Sequence, residues 1–253
     1  MEAISETFAT IAGLPAIIGL ILTAAIIFLT SDWRLSLTAL LVQYVLVGLT
    51  LTRFIQAEVA IVKILAGILA VSILYLSARR IQDGGEGPED STDGLQFFGL
   101  HLGWRTGPLG LPLRILVLIM VALAAIHFFD DYRALLPILD ADGSMVPPDI
   151  AFVSMWLAAM GMIGLVLSGE PLRAATAVLT VLTAFDLVYA GLEPRLSIVG
   201  FVAALTLMAA LAFAYLATVE GLRMRIVQQQ SRAKVLPAAP LVVAGDAEEG
   251  GER

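Results

Sequence analysis

The stretch QAEVAIVKILAGIL, residues 56–69, sets a carboxylate at Glu58 and an ammonium at Lys63 into an otherwise apolar run. About 20 mostly apolar residues are needed to cross the hydrocarbon core of a bilayer, and this run reads as part of such a span. Its apolarity is continuous rather than alternating, which favours a helix over a barrel strand, because a helix satisfies its backbone groups within the segment. A Lys near the centre of a spanning helix costs about 2.5–3.5 kcal/mol on insertion scales. Lys63 therefore needs protein, water or an acid beside it.

The rest of the chain supports the membrane reading. Hydrophobic residues make up 59% of the 253 positions and charged residues only 15%, far too apolar for a soluble domain of this length. Seven spans are predicted, over roughly 8–30, 35–54, 56–78, 111–129, 150–168, 174–192 and 196–218. The first follows MEAISET, which has no Lys or Arg; without a positive n-region it is expected to be retained, not cleaved as a signal peptide. The expected fold class is an all-α integral membrane protein.

Basic residues fix the expected orientation. With the N-terminus outside, eleven Lys and Arg fall in inner loops and the tail, including Arg34, Arg79, Arg80, Arg114 and Arg173. Only Arg53, Arg133 and Arg195 fall outside. The positive-inside bias thus predicts a multi-pass protein of the cell (inner) membrane with a cytoplasmic C-terminus. Five regions follow: a membrane unit over 1–78, a cytoplasmic loop over 79–110, a linker helix with an acidic outer loop over 111–149, a second membrane unit over 150–219, and a tail over 220–253. The loop opens on the Gly-rich RRIQDGGEGPEDSTDG, and its LQFFGLHLGWR segment is expected at the membrane surface. The tail is basic, then acidic, and is expected to lack structure for the most part.

Internal comparison lays VQYVLVGLTL (42–51) on FDLVYAGLEP (185–194), matching Gln43 to Asp186 and Gly48 to Gly191. Charged turns, SDWR and SGEPLR, precede both stretches, and a further long span follows each. This predicts two parallel three-helix units, spans 1–3 and 5–7, joined by span 4.

The unit of an Arg-bearing turn, an apolar helix with an acid or amide, and a further helix opening on a short polar cluster resembles the small three-helix membrane subunit of respiratory complex I. It also resembles longer relatives in hydrogenase-4-type and multisubunit Na⁺/H⁺ antiporter complexes. The resemblance covers residues 15–80 and 155–218. TAFDLVYAGLEP (183–194) is similar to the family's second-helix carboxylate motif, and RFIQAEVAIVKILAGIL (53–69) to the start of the antiporter relatives' third helix. Asp186 stands where the family has Glu, Gln43 cannot ionise, and Lys63 has no counterpart there. The resemblance implies a non-catalytic subunit that lends carboxylates to a proton path driven by neighbouring subunits.

The charged groups can also be placed by depth alone. Glu58 lies within a turn of the span's outer end, where a carboxylate reaches water. Lys63 lies roughly 12 Å in, and Asp186 roughly 9 Å below the same face. A cross-helix Lys63–Asp186 pair is therefore expected, whereas Glu58 is a poor partner because five residues turn about 140° around the helix. Gln43 and Tyr44 extend the polar set, either as a hydrogen-bonded path or as interhelical glue. The pair itself reads either as part of a proton path or as a static clamp fixing helix register.

Other chemistry is disfavoured. There is no Cys, hence no disulfide, thiolate metal site or iron–sulfur ligation. His101 and His127 make no metal set, and DADGS (140–144) places Ala151 where a calcium loop requires Glu. Phosphate-cradling loops, HExxH, GxSxG and haem motifs are absent from the sequence. No cofactor, no nucleic acid and no small-molecule substrate is expected. The expected partners are the lipid bilayer and other membrane subunits of a larger complex. Two functions stay open: a non-catalytic subunit of a proton-translocating complex, or a non-conducting structural or assembly subunit held by a Lys–Asp clamp.

Overall fold

The computed structural model describes residues 13–30, 32–53, 57–83, 96–97, 100–101, 111–135, 147–192 and 196–235. Within them are seven helices: α1 (Leu14–Leu29), α2 (Trp33–Leu51), α3 (Ala57–Asp83), α4 (Leu111–Leu135), α5 (Pro148–Val166), α6 (Pro171–Leu192) and α7 (Leu196–Val235). Six are long and apolar enough to span a bilayer; α1, with 16 residues, is apolar but shorter. At 1.5 Å per residue it covers only about 24 Å. The expected first span began at residue 8, and its first five positions lie outside the described residues. The chain is an all-α, multi-pass membrane protein.

Local chemistry sets the helix ends. Pro15 sits in the first turn of α1 and Pro148 in that of α5, where the missing N–H would have had no intrahelical partner. Asp32 caps α2, its carboxylate accepting from the Arg34 N–H at 3.0 Å. Helix α7 runs on to Val235, so residues 220–235, the first part of the stretch expected as tail, are helical. GLRMRIVQQQSRAKV (221–235) is rich in straight-chain helix formers and meets no Pro before Pro237. The rest of the tail, with most of the 79–110 loop, lies outside the described residues. Within that loop the structure has a minimal antiparallel ladder, β1 (Gln96–Phe97) on β2 (Leu100–His101).

Helix packing is like on like: α1 packs on α5, α2 on α6 and α3 on α7, while successive helices within 1–3 and 5–7 also touch. These pairings are parallel. Trp156 Nε1 donates to the Ile21 carbonyl at 3.3 Å, and further along the same pair Gly164 faces Phe28. Ser77 Oγ donates to the Ala214 carbonyl at 2.9 Å and meets Thr218 Oγ1 at 3.1 Å, and one turn on Ile81 faces Gly221. Two three-helix rows laid side by side in the same order and direction would give this arrangement. Helix α4 sits outside it against α5 and α1, with only 17% of its span buried.

Two cores result. One gathers Leu20, Ala24, Trp156, Leu157 and Met160 from α1 and α5 with Val121 from α4 and the flank of α6. The other gathers Leu37, Leu40, Tyr44, Val71, Leu74, Leu179 and Ala210 from α2, α3, α6 and α7. In this second region α2 touches α3, α3 touches α7, α7 touches α6 and α6 touches α2. The four helices thus form a closed ring, with α3 and α6 on one diagonal.

Candidate functional site

The buried stripe of α3 runs through Ala60, Lys63, Ala66, Ala70, Leu74 and Ser77. This is a helical period, and Lys63 occupies one of its inward positions. On α6 the inward stripe is Thr176, Thr180, Thr183, Asp186 and Ala190. Lys63 lies six residues from the start of α3, and Asp186 six residues from the end of α6. Both are then about 9 Å from the same end of the bundle, and their side chains meet across the ring diagonal.

Lys63 Nζ and Asp186 Oδ2 form an ion pair whose side chains are 1% and 7% exposed. Burial at this level removes both charges from water, so the attraction must offset a desolvation penalty of several kcal/mol per ion. An ammonium carries three donors. Among the described residues Lys63 Nζ has only this carboxylate to meet.

Helix α2 supplies the side of the site. Gln43 is fully buried, and neither its amide nitrogen nor its amide oxygen has a hydrogen-bonding partner among the described residues. Tyr44, 1% exposed, turns its hydroxyl toward Thr183 and Asp186. That hydroxyl does not reach hydrogen-bond geometry with either, and Thr183 Oγ1 already donates to the Leu179 carbonyl at 2.7 Å. Gly67, one turn beyond Lys63, makes the approach possible: a Cβ there would lie 2.4 Å from Tyr44 Cγ. The tyrosine ring therefore lies against bare α3 backbone, one turn along the helix from Lys63.

Of the residues singled out from sequence, Lys63, Asp186, Gln43 and Tyr44 are buried in the same ring, while Glu58 is exposed in the first turn of α3 and stands apart. Thr183 was missed. Its signal was present as the i, i+3 spacing from Thr183 to Asp186 and from Thr180 to Thr183.

At the bundle end holding the α1–α2 and α5–α6 turns lie two adjoining crevices. The larger is lined by Thr30, Ser168, Arg114, Arg173, Thr176 and Thr180, with an apolar wall from α1 and α5. The smaller shares Thr30, Arg173 and Thr176 and adds Asp32, Ser36 and Glu170. Arg114 is buried, with Arg173 and Glu170 both near enough to act on its charge. No group of three or more metal-ligating side chains occurs among the described residues.

The site and fold define the class: a multi-pass helical membrane protein with a charged pair at the centre of a four-helix ring. Comparison with protein-family models, with curated proteins and with solved structures returns no match.

Proposed function

We propose that this chain is a non-catalytic membrane subunit of a proton-translocating complex, with Lys63 and Asp186 handling the proton inside the membrane. One observation carries the reading: the buried ion pair shares its helices' interior with buried polar groups whose hydrogen-bonding capacity is unmet among the described residues. Gln43, Tyr44 and Lys63 together leave buried donors and acceptors without partners among the described residues. Buried polar groups in proteins are nearly always satisfied, and an exception calls for an explanation such as a chemical role or an ordered water. A carboxylate and an ammonium in contact can trade one proton with little net charge movement. The tyrosine and the amide buried on α2 are groups that donate and accept in turn. Asp186, Lys63, Gln43 and Tyr44 form the proton-handling set, and Glu58 serves at the water boundary above it. The N-terminus lies outside and the C-terminus in the cytoplasm, by the positive-inside bias, in a cell membrane.

A second reading has its own support. The pair joins α3 to α6 across the diagonal of a ring in which neither helix is the other's neighbour, which is the geometry of a structural clamp. The two readings separate in one experiment. Lys63→Met combined with Asp186→Leu replaces the pair by apolar side chains of similar volume, a change that proteins often tolerate. A clamp survives that replacement with proton movement intact, whereas a proton site loses it. Native purification followed by mass spectrometry tests the complex: antiporter-like subunits in fixed ratio support the proposal, and a chain that purifies alone defeats it.

A further inference from the structure

The ion pair lies deep in the ring, and a proton site there needs contact with water on at least one side. Helix α6 carries a ladder of hydroxyls toward it. Thr176, Thr180 and Thr183 are 3%, 1% and 0% exposed, and Asp186 follows at the next helical step. Each hydroxyl donates along its own helix: Thr176 to the Arg173 carbonyl, Thr180 to the Thr176 carbonyl and Thr183 to the Leu179 carbonyl. Every Oγ therefore retains an acceptor lone pair turned toward the interior. Steps of three and four residues keep these groups on one face of α6.

The first two rungs are also walls of the larger crevice, whose rim is Thr30 and Ser168. The crevice reaches Thr180, three residues short of Thr183 and six short of Asp186, about 4.5 Å and 9 Å of helix rise. Tyr44 overhangs the last interval, its hydroxyl turned toward both Thr183 and Asp186. The smaller crevice opens at the same end and meets the larger at Thr30, Arg173 and Thr176. Two guanidinium groups, Arg114 and Arg173, and two carboxylates, Asp32 and Glu170, set the charge around this opening, and they balance.

We infer that this crevice is a one-sided aqueous access path, open at the α1–α2 end of the bundle and leading along Thr176, Thr180 and Thr183 to the Lys63–Asp186 pair. Water enters between α1, α5 and α6, and the hydroxyl face of α6 with Tyr44 carries hydrogen bonding over the last turn. This path rests on the proton-handling reading of the pair for its purpose, but water access itself is measurable without any proton flux.

The chain contains no Cys, so single cysteines report without background. Thr176→Cys and Thr180→Cys are reconstituted in vesicles and treated from either side with charged, membrane-impermeant methanethiosulfonates. Phe185→Cys is the lipid-side control, since Phe185 is 52% exposed on the outer face of the same helix. Only a hydrated thiol ionises to the reactive thiolate. Modification at 176 and 180 should therefore be at least about tenfold faster than at 185, and from one side only. Thr176→Cys, nearer the mouth, keeps the test in hand where Thr180→Cys does not fold. Reaction at 176 and 180 no faster than at 185 overturns the path, as does equal reaction from both sides. Asp186→Asn, assayed for proton movement alongside, separates the two ideas. Loss of flux with unreactive cysteines removes the path and leaves the proton site, whereas reactive cysteines with unchanged flux leave a water path and remove the proton site.

Discussion

The core built on α1 and α5 and the ring of α2, α3, α6 and α7 are equally closed, yet they enclose different chemistry. Leu20 and Leu157 in the first are as fully buried as Leu40, Leu74 and Leu179 in the second. The first has buried hydroxyls too, but they are satisfied: Thr23 donates to the Leu20 carbonyl and Ser154 to the Ala151 carbonyl. In the ring, by contrast, Lys63, Gln43 and Tyr44 keep hydrogen-bonding groups that are unmet among the described residues. Apolar packing evidently suffices to close a helix bundle in this molecule. The charges in the ring are a local departure, placed where four helices turn their inward faces to one axis.

The largest effect expected is from breaking the pair on one side. Asp186→Leu strands a buried ammonium and Lys63→Met a buried carboxylate, at about 3–5 kcal/mol each. Denaturant titration in mixed micelles reads this directly, and the Lys63→Met/Asp186→Leu double variant should recover most of the loss. Recovery that fails would mean that the ring needs charge for its packing, and the contrast between the two cores would collapse. In the apolar core, Leu157→Ala should cost about 2–5 kcal/mol by cavity formation. No second substitution of charge can rescue it, because nothing there is electrostatic.

The ion pair was legible in the sequence because depth follows from arithmetic. A helix rises a fixed distance per residue, so the turns near 55 and 193 place Lys63 and Asp186 at one level. The lipid excludes both from its own side. Azimuth was harder to read. The α3–α6 diagonal depends on which helices touch, and seven apolar segments admit many arrangements. Thr183 stayed hidden for a related reason: threonine bonds readily to its own helix, as Thr206 does to the Val202 carbonyl, so a buried Thr carries little signal alone. The helical run of α7 to Val235 lay within a stretch read by its charge, where helix propensity was the better guide.

Glycine substitutions sharpen the same comparison at a smaller scale. An added methyl at Gly67 would fall 2.4 Å from Tyr44 Cγ, and the ring cannot retreat without displacing its hydroxyl from Thr183 and Asp186. Gly67→Ala should cost about 1–3 kcal/mol through overpacking and should impair proton movement with it. Gly164, in the apolar core, is roomier: a Cβ there would meet Ala177 Cβ at 3.4 Å and Phe28 at 3.9 Å. Gly164→Ala should be close to neutral in the same unfolding assay. A loss at Gly164 as large as that at Gly67 would show that both regions are packed to one tolerance.

The smallest effect is expected at the other ion pair, where the chemistry is nearly the same and the surroundings are not. Arg53 Nη1 lies 3.1 Å from Asp149 Oδ2 and ties the α2–α3 turn to the start of α5, with both side chains about a third exposed. Water and salt reach this pair, so its coupling should be about 0.2–1 kcal/mol. A double-mutant cycle with Arg53→Ala and Asp149→Ala isolates that term from the other contacts of Arg53. Raising the ionic strength from about 0.1 M to 1 M shortens the screening length from about 10 Å to 3 Å, and the coupling should shrink accordingly. The same cycle on Lys63 and Asp186 should give a coupling several-fold larger and indifferent to salt, because no counterion reaches a pair so deeply enclosed. Equal couplings with equal salt dependence would mean that solvent already surrounds the central pair, and the ring could no longer be distinguished from the surface by its dielectric.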